Sequence, residues 1–119
     1  MKRLTVRRVR FSDDADGRLK MLKSRTGITP NLLCRIGFCM SLEEPGVPNP
    51  ALYNEGTREI NRETLTGEYD AAFEALLRQR MAEDGLEDSQ IDEQFRAHMN
   101  RGVELASTRI RSLGDLVAR

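Results

Sequence analysis

Apolar and polar positions follow two different periods along this chain, and the change from one to the other marks its first elements. Val9 and Phe11 alternate with Arg8 and Arg10, the period of two of a half-buried strand with one apolar and one cationic face. Leu4 and Val6 begin the same alternation earlier, but the adjacent Arg7 and Arg8 break it, which predicts a bulge or a late strand start. From residue 13 the spacing becomes helical: Ala15, Leu19 and Leu22 make one narrow stripe over 13–26, while Arg18, Lys20, Lys23 and Arg25 fan out around it. Ser12 is placed to cap that helix, Asp13 and Asp14 suit the positive end of its dipole, and Gly27 stops it. Thr29 and Pro30 then supply an N-cap and an N1 proline for a second helix running to about Leu42.

This second helix is apolar nearly all round. Leu32, Leu33, Ile36, Cys39 and Met40 cover one side, and Cys34 and Phe38 project from the other, so two faces need cover. A second subunit is one such cover, and the C-terminal helices folding back are another. Pro45, Gly46, Pro48 and Pro50 make Glu43 to Gly56 an extended connector lying along the surface. Beyond it, Asn61 or Thr66 is placed to cap a helix whose Tyr69, Phe73, Leu76 and Leu77 share one face and which ends at Gly85. Ser89 with Asp92 three residues on reads as a capping box for a last helix. Its stripe runs through Ile91, Phe95, Met99, Ala106, Ile110 and Leu113, with Gly114 closing it and Gly102 allowing a close helix contact. The expected fold is mainly α: one domain over 1–119, with a short N-terminal strand and about four helices.

Charge sharpens this picture more than composition does. The 119 residues carry 19 Lys or Arg against 19 Asp or Glu, a formal charge of zero. Residues 1–35 nevertheless hold ten basic residues against three Asp, a net +7, which leaves the rest of the chain at −7. A basic head on an acidic body suits a polyanion such as nucleic acid, an acidic partner protein, or an intramolecular contact with that body. The first eleven residues lack the apolar core of a secretory signal and no run reaches the length of a membrane span, so a cytoplasmic protein is expected. Cys34 and Cys39, five apart on one helix, sit about 140° apart around its axis and read as two reduced core thiols, with an intermolecular bond or a metal site as the alternatives.

Enzyme chemistry finds little footing. His98 is the only histidine and falls at the edge of the last helix's stripe, where packing or hydrogen bonding is the ordinary role. Glu59, Glu63, Glu68 and Asp70 are the densest carboxylates, and gathered on one divalent ion they could serve a DNA-nicking enzyme. Spread over a polar turn they are instead an ordinary solvated face. Phosphate loops, paired CxxC and GxSxG motifs do not occur, so no catalytic site, metal or cofactor is expected. Arg8 and Arg10 on the strand, with Arg18, Lys20, Lys23, Arg25 and Arg35 on the helices, are better suited to the duplex phosphate backbone. Aromatic residues make up 5% of the chain and tryptophan is absent, which argues against stacking on single-stranded bases.

The order strand, helix, turn, helix within 35 residues resembles the ribbon-helix-helix repressors, in which strands from two subunits pair and enter a major groove. A more specific likeness lies in LKSRTGITPNLLCR (22–35), followed by FCMSL, INRETLTGEYD and AHMNRG (97–102). These motifs, in this order, resemble the DndE family of bacterial DNA sulfur modification proteins. The resemblance implies a small helical protein that assembles into tetramers and binds double-stranded DNA, nicked duplex by preference, through surface lysines. It also implies work beside a sulfurtransferase and an ATPase in phosphorothioation, with no catalytic centre of its own. By matched position Lys23, Arg25 and Arg35 carry over as DNA-binding residues, and Lys20 joins them from the basic patch. Gly27 is expected to hold a special backbone conformation in the inter-helix turn, and Leu32, Ile36 and Phe38 are the expected oligomer contacts.

Overall fold

The computed structural model describes residues 2–117. A strand β1 (Arg8–Arg10) leads into α1 (Asp13–Thr26) and α2 (Pro30–Glu43); after the connector come β2 (Glu59–Asn61), α3 (Arg62–Thr66), α4 (Asp70–Glu83), α5 (Ile91–Arg109) and α6 (Gly114–Val117). The architecture is mainly α, as expected. The first two helices fall where patterning put them. Ser12 Oγ accepts the backbone N–H of Ala15, and Gly27 at φ 74° sends its N–H to the Lys23 carbonyl, the left-handed turn that only glycine adopts without strain.

α5 is the spine, and its broadest packing is against α2. The two helices cross where Gly37 meets Gly102. A Cβ on either glycine would overlap the other's backbone carbonyl, so the helices touch main chain to main chain. Beside this crossing Phe38 is fully buried and tilts against Phe95 and Phe73, with ring centroids 5.5 and 5.6 Å away. The inward face of α2 is therefore Leu33, Cys34, Gly37, Phe38 and Ser41, while Leu32, Ile36, Cys39 and Met40 turn outward to varying degrees. Phe38, expected at a subunit contact, has no surface to give one.

The connector stays extended apart from a short 3-10 turn at Pro50–Leu52, and α5 holds it in place. Gln94 Nε2 donates to the Pro48 carbonyl, and the Arg96 guanidinium to those of Tyr53 and Pro50. Arg80 on α4 and Arg101 on α5 converge on the carbonyls at the end of α2, where Ser41, Leu42, Glu44 and Gly46 all accept from them. These arginines satisfy orphan C=O groups that the end of any helix leaves behind.

Four details depart from the sequence reading. The strand gains a partner that patterning missed, β2, antiparallel with Val9 opposite Ile60. On α4 the buried apolar stripe is Phe73, Leu77 and Met81; Leu76 is turned about 100° off it and exposed, and Tyr69 is exposed where it precedes the helix start at Asp70. The capping box belongs to Glu87 and Gln90, which frees Asp92 for other partners. α5 ends at Arg109, so Leu113 is exposed and Gly114 opens a short helix where it was expected to close the long one.

Replacing Gly102 or Gly37 by alanine is expected to lower stability by about 2–4 kcal/mol, since backbone rather than a flexible side chain must move to admit the methyl group. Chemical denaturation followed by circular dichroism measures this. Gly17→Ala, where a Cβ meets open space, is the control expected to be neutral or slightly stabilising.

Candidate nucleic-acid interface

The β1–β2 ribbon turns its cations outward. Val9 is buried beneath it, while Arg8 and Arg10 point away from the core. Both are bridged by one cross-strand carboxylate: Arg8 Nη1 lies 3.3 Å from Glu59 Oε1, and Arg10 Nη2 lies 3.2 Å from Glu59 Oε2. Hydrogen bonds extend the ribbon beyond its paired residues, from Arg62 N–H to the Arg7 carbonyl and from Phe11 N–H to the Arg58 carbonyl.

The other edge of the N-terminal segment is occupied as well. Asp92 on α5 accepts the backbone N–H groups of Thr5 and Val6 and the Thr5 hydroxyl. Two turns on, Asn100 donates to the Arg10 carbonyl and accepts from Ser12 N–H. The strand is thus paired with its own chain on one side, and on the other α5 side chains hold the Arg10 carbonyl and the residues that flank the strand. In a ribbon-helix-helix dimer that strand would pair with a second subunit's strand.

On α1, Lys23 and Arg25 are exposed and have no hydrogen-bonding or ionic side-chain partner among the described residues; the same holds for Arg7. Lys20 makes an exposed i,i+4 pair with Asp16 at 3.1 Å, and Arg18 spans Asp14 and Ser107. Arg35 behaves differently from the rest. Its Nε donates to the Leu65 carbonyl at 2.6 Å and an Nη to that of Thr64, and its guanidinium lies against Gly67. The matched basic residue Arg35 therefore staples α2 to the end of α3 in place of standing free for DNA.

Arg7 and Arg8 also border an open cleft of about 760 Å³ together with Asn61, Arg62 and Asp70. Arg62 is committed there: it forks onto Asp70 at 2.6 and 2.8 Å and donates to the Leu4 carbonyl. That hydrogen bond from Arg62 holds the Asp70 carboxyl below its ordinary range. Arg7, which the sequence offered only as a break in the alternation, is a free cation that patterning did not single out. The clue was present in the Arg7–Arg8 doublet at a strand start, where one of the two had to face solvent.

The carboxylates offered for metal chemistry are dispersed. Glu59 serves Arg8 and Arg10, Asp70 serves Arg62, and among the described residues no three His, Cys, Asp or Glu side chains converge to hold an ion. Burial pushes the Cys34 thiol up to about 12; burial and Glu43 raise that of Cys39. Both stay protonated at neutral pH and are poor nucleophiles.

His98 is fully buried beside Phe38. Arg101 Nε donates to Ser41 Oγ at 2.9 Å, and that hydroxyl lies 2.8 Å from His98 Nδ1. Among the described contacts, Nδ1 is the acceptor within reach of the Ser41 proton, so the ring hydrogen is assigned to Nε2, which has no polar partner. Burial, reinforced by Arg101 and Arg80, lowers the His98 pKa to about 3. The histidine is a neutral hydrogen-bond acceptor in the core.

Fold and surface together define a small, mainly helical protein that presents basic side chains from a strand and the helix after it. The family model described as DNA sulphur modification protein DndE matches residues 8–112, and the chain belongs to that family. Among solved structures it is similar to DndE from Escherichia coli B7A, involved in DNA phosphorothioation modification, at 30% identity and a TM-score of 0.68 over 88% of this chain and 98% of that one. A glycine-to-lysine mutant of DndE involved in DNA phosphorothioation is similar at 27% identity and a TM-score of 0.65, over 87% and 99% of the two chains. No curated protein matches.

Unfolding frees His98 to take up a proton below its ordinary pKa of 6.5, while the folded state resists until about 3. Stability is therefore expected to be flat between about pH 6.5 and 8 and to fall between about 6.5 and 3, by up to about 1.4 kcal/mol per pH unit. Denaturant titrations at several pH values measure the slope. His98→Gln is expected to remove most of it above pH 5, where the low carboxylate pKa values of Asp70, Glu74 and Asp92 do not yet contribute.

Proposed function

We propose that this chain is a non-catalytic, oligomeric DNA-binding subunit of the phosphorothioation machinery. It holds double-stranded DNA, nicked duplex by preference, for a sulfurtransferase and an ATPase that carry out the chemistry. The observation that carries this reading is the set of exposed, unpartnered cations Arg7, Lys23 and Arg25 beside the exposed Arg8, Arg10 and Lys20, in a member of a DNA sulphur modification family. Flexible, solvated cations suit phosphates at unspecified positions, which makes binding strongly salt-dependent and weakly sequence-specific.

Assembly is part of the same reading. The outward side of α2 leaves Leu32 at 43% exposure, with Ile36 and Met40 half-buried next to it, an apolar strip suited to a second copy within a tetramer. The working compartment is the cytoplasm, where the DNA is; among the described residues no helix is long and apolar enough to cross a membrane. A two-subunit DNA-reading ribbon draws less support, because β1 is paired with β2 of its own chain and Asn100 holds the Arg10 carbonyl on its other edge. Dispersal of Glu59, Glu63, Glu68 and Asp70 likewise leaves the nickase reading without a centre.

Affinity for labelled nicked and intact duplexes, measured across salt, tests the proposal. Replacing Lys20, Lys23 and Arg25 together by glutamine is expected to weaken binding at least tenfold and to lower the slope of log affinity against log salt by about two to three. Unchanged affinity in the triple variant would remove α1 from the interface. Arg35 is left out of the set because its loss disturbs the α2–α3 contact.

A further inference from the structure

The outward face of β1 already holds an anion. One carboxylate, Glu59, reaches from the opposing strand and places one oxygen on each of two guanidinium groups, those of Arg8 and Arg10. Residues two apart on one strand face stand about 6.6 Å from each other, so this carboxylate spans the space between two parallel forks. Guanidinium N–H groups accept carboxylate and phosphate oxygens in the same planar geometry. Arg10 is steadied further by donating to the Gly56 carbonyl.

Every member of the bridge is in contact with water. The side chains of Arg8, Arg10 and Glu59 are 66%, 46% and 29% exposed. Ion pairs this open add little to stability and are readily exchanged for another anion. Other acids near the ribbon do not compete for the two arginines: Asp92 is taken by the backbone of Thr5 and Val6, and Glu55 and Glu93 line the shallow depression without pairing to either one. Arg96 in the same depression is turned onto the Tyr53 and Pro50 carbonyls.

We infer that Glu59 is a resident surrogate for a phosphodiester: it keeps Arg8 and Arg10 aligned as a two-point phosphate site and is displaced when a nucleic-acid backbone docks on the ribbon. This rests on the DNA-binding reading above and adds to it a site and a built-in competitor. The competitor sets how far salt and DNA concentration must shift before the ribbon engages, because displacing Glu59 opposes binding while loss of condensed counterions favours it. The arginines gain no new conformation on binding; they exchange one anion for another.

The test compares the full-length wild-type chain, Glu59→Gln, Glu63→Gln, Arg8→Gln with Arg10→Gln, and the triple Arg8→Gln, Arg10→Gln, Glu59→Gln variant, using a labelled DNA duplex over a range of salt. Glu63 is the control, an exposed carboxylate at the start of α3 with no arginine partner among the described residues. E59Q is expected to bind about five- to tenfold more tightly at low salt, with a salt slope steeper by about one to two; E63Q is expected to change affinity less than twofold. The E59Q gain is expected to vanish in the triple variant. Equal affinity of wild type and E59Q, or an equal gain in E63Q, overturns the surrogate and leaves DNA binding standing. Binding by E59Q alone supports the surrogate most strongly. Absence of binding by both overturns the DNA-binding reading and the surrogate with it. Should E59Q fail to fold by circular dichroism, Glu59→Ser carries the same comparison.

Discussion

The contact between Gly37 and Gly102 is the constraint on which the rest of the molecule depends. With no side chain on either helix at the crossing, α2 and α5 come together at their main chains, and the large residues on either side close over the point of contact. Phe38 then reaches Phe95 and Phe73, and Ser41 reaches His98. A wider spacing would leave the imidazole without its acceptor role and the three phenyl rings without each other. One small residue on each helix thus sets the depth of the whole core.

α5 carries a second, polar layer of organisation. Along one helix, Asp92 and Asn100 take up the N-terminal segment, Gln94 and Arg96 take up the connector, and Arg101 takes up the end of α2. These bonds run from side chain to backbone, which lets segments without regular structure satisfy their peptide groups. They also divide the arginines into two populations. Arg35, Arg62, Arg80, Arg96 and Arg101 are fastened to carbonyls or buried acids, and those on the ribbon and α1 remain at the surface. A tally of basic residues overstates what is available to a polyanion; most of the exposed cations lie in the first 25 residues, with Arg109 and Arg111 exposed far from them in sequence.

Much of the fold was legible because its signals are local. Ser12, Gly27 and the Thr29–Pro30 pair fixed the limits of α1 and the start of α2, and the helical spacing of Ile91, Phe95 and Met99 announced α5. What stayed hidden was the set of pairings between distant residues. Nothing in Glu59–Asn61 distinguishes a strand from loop until β1 lies beside it, and a glycine inside an otherwise apolar α2 gives no sign that its partner is 65 positions away. Arg35 illustrates the same limit: its motif position could be matched, but whether a cation faces solvent or a carbonyl is decided by α3. The Phe38 side of α2 was likewise readable as apolar, and only α5 determined that it turned inward.

The position of α5 in the sequence has a consequence for how the chain is made. The N-terminal arm, the ribbon edge, the connector and α2 all fasten to a helix that begins at Ile91, so the turns from Ile91 onward must be synthesised before any of them can be completed. Contacts of such long sequence separation are slow to close and form late. The emerging chain therefore carries its basic head and its apolar α2 unsheltered until α5 leaves the exit tunnel.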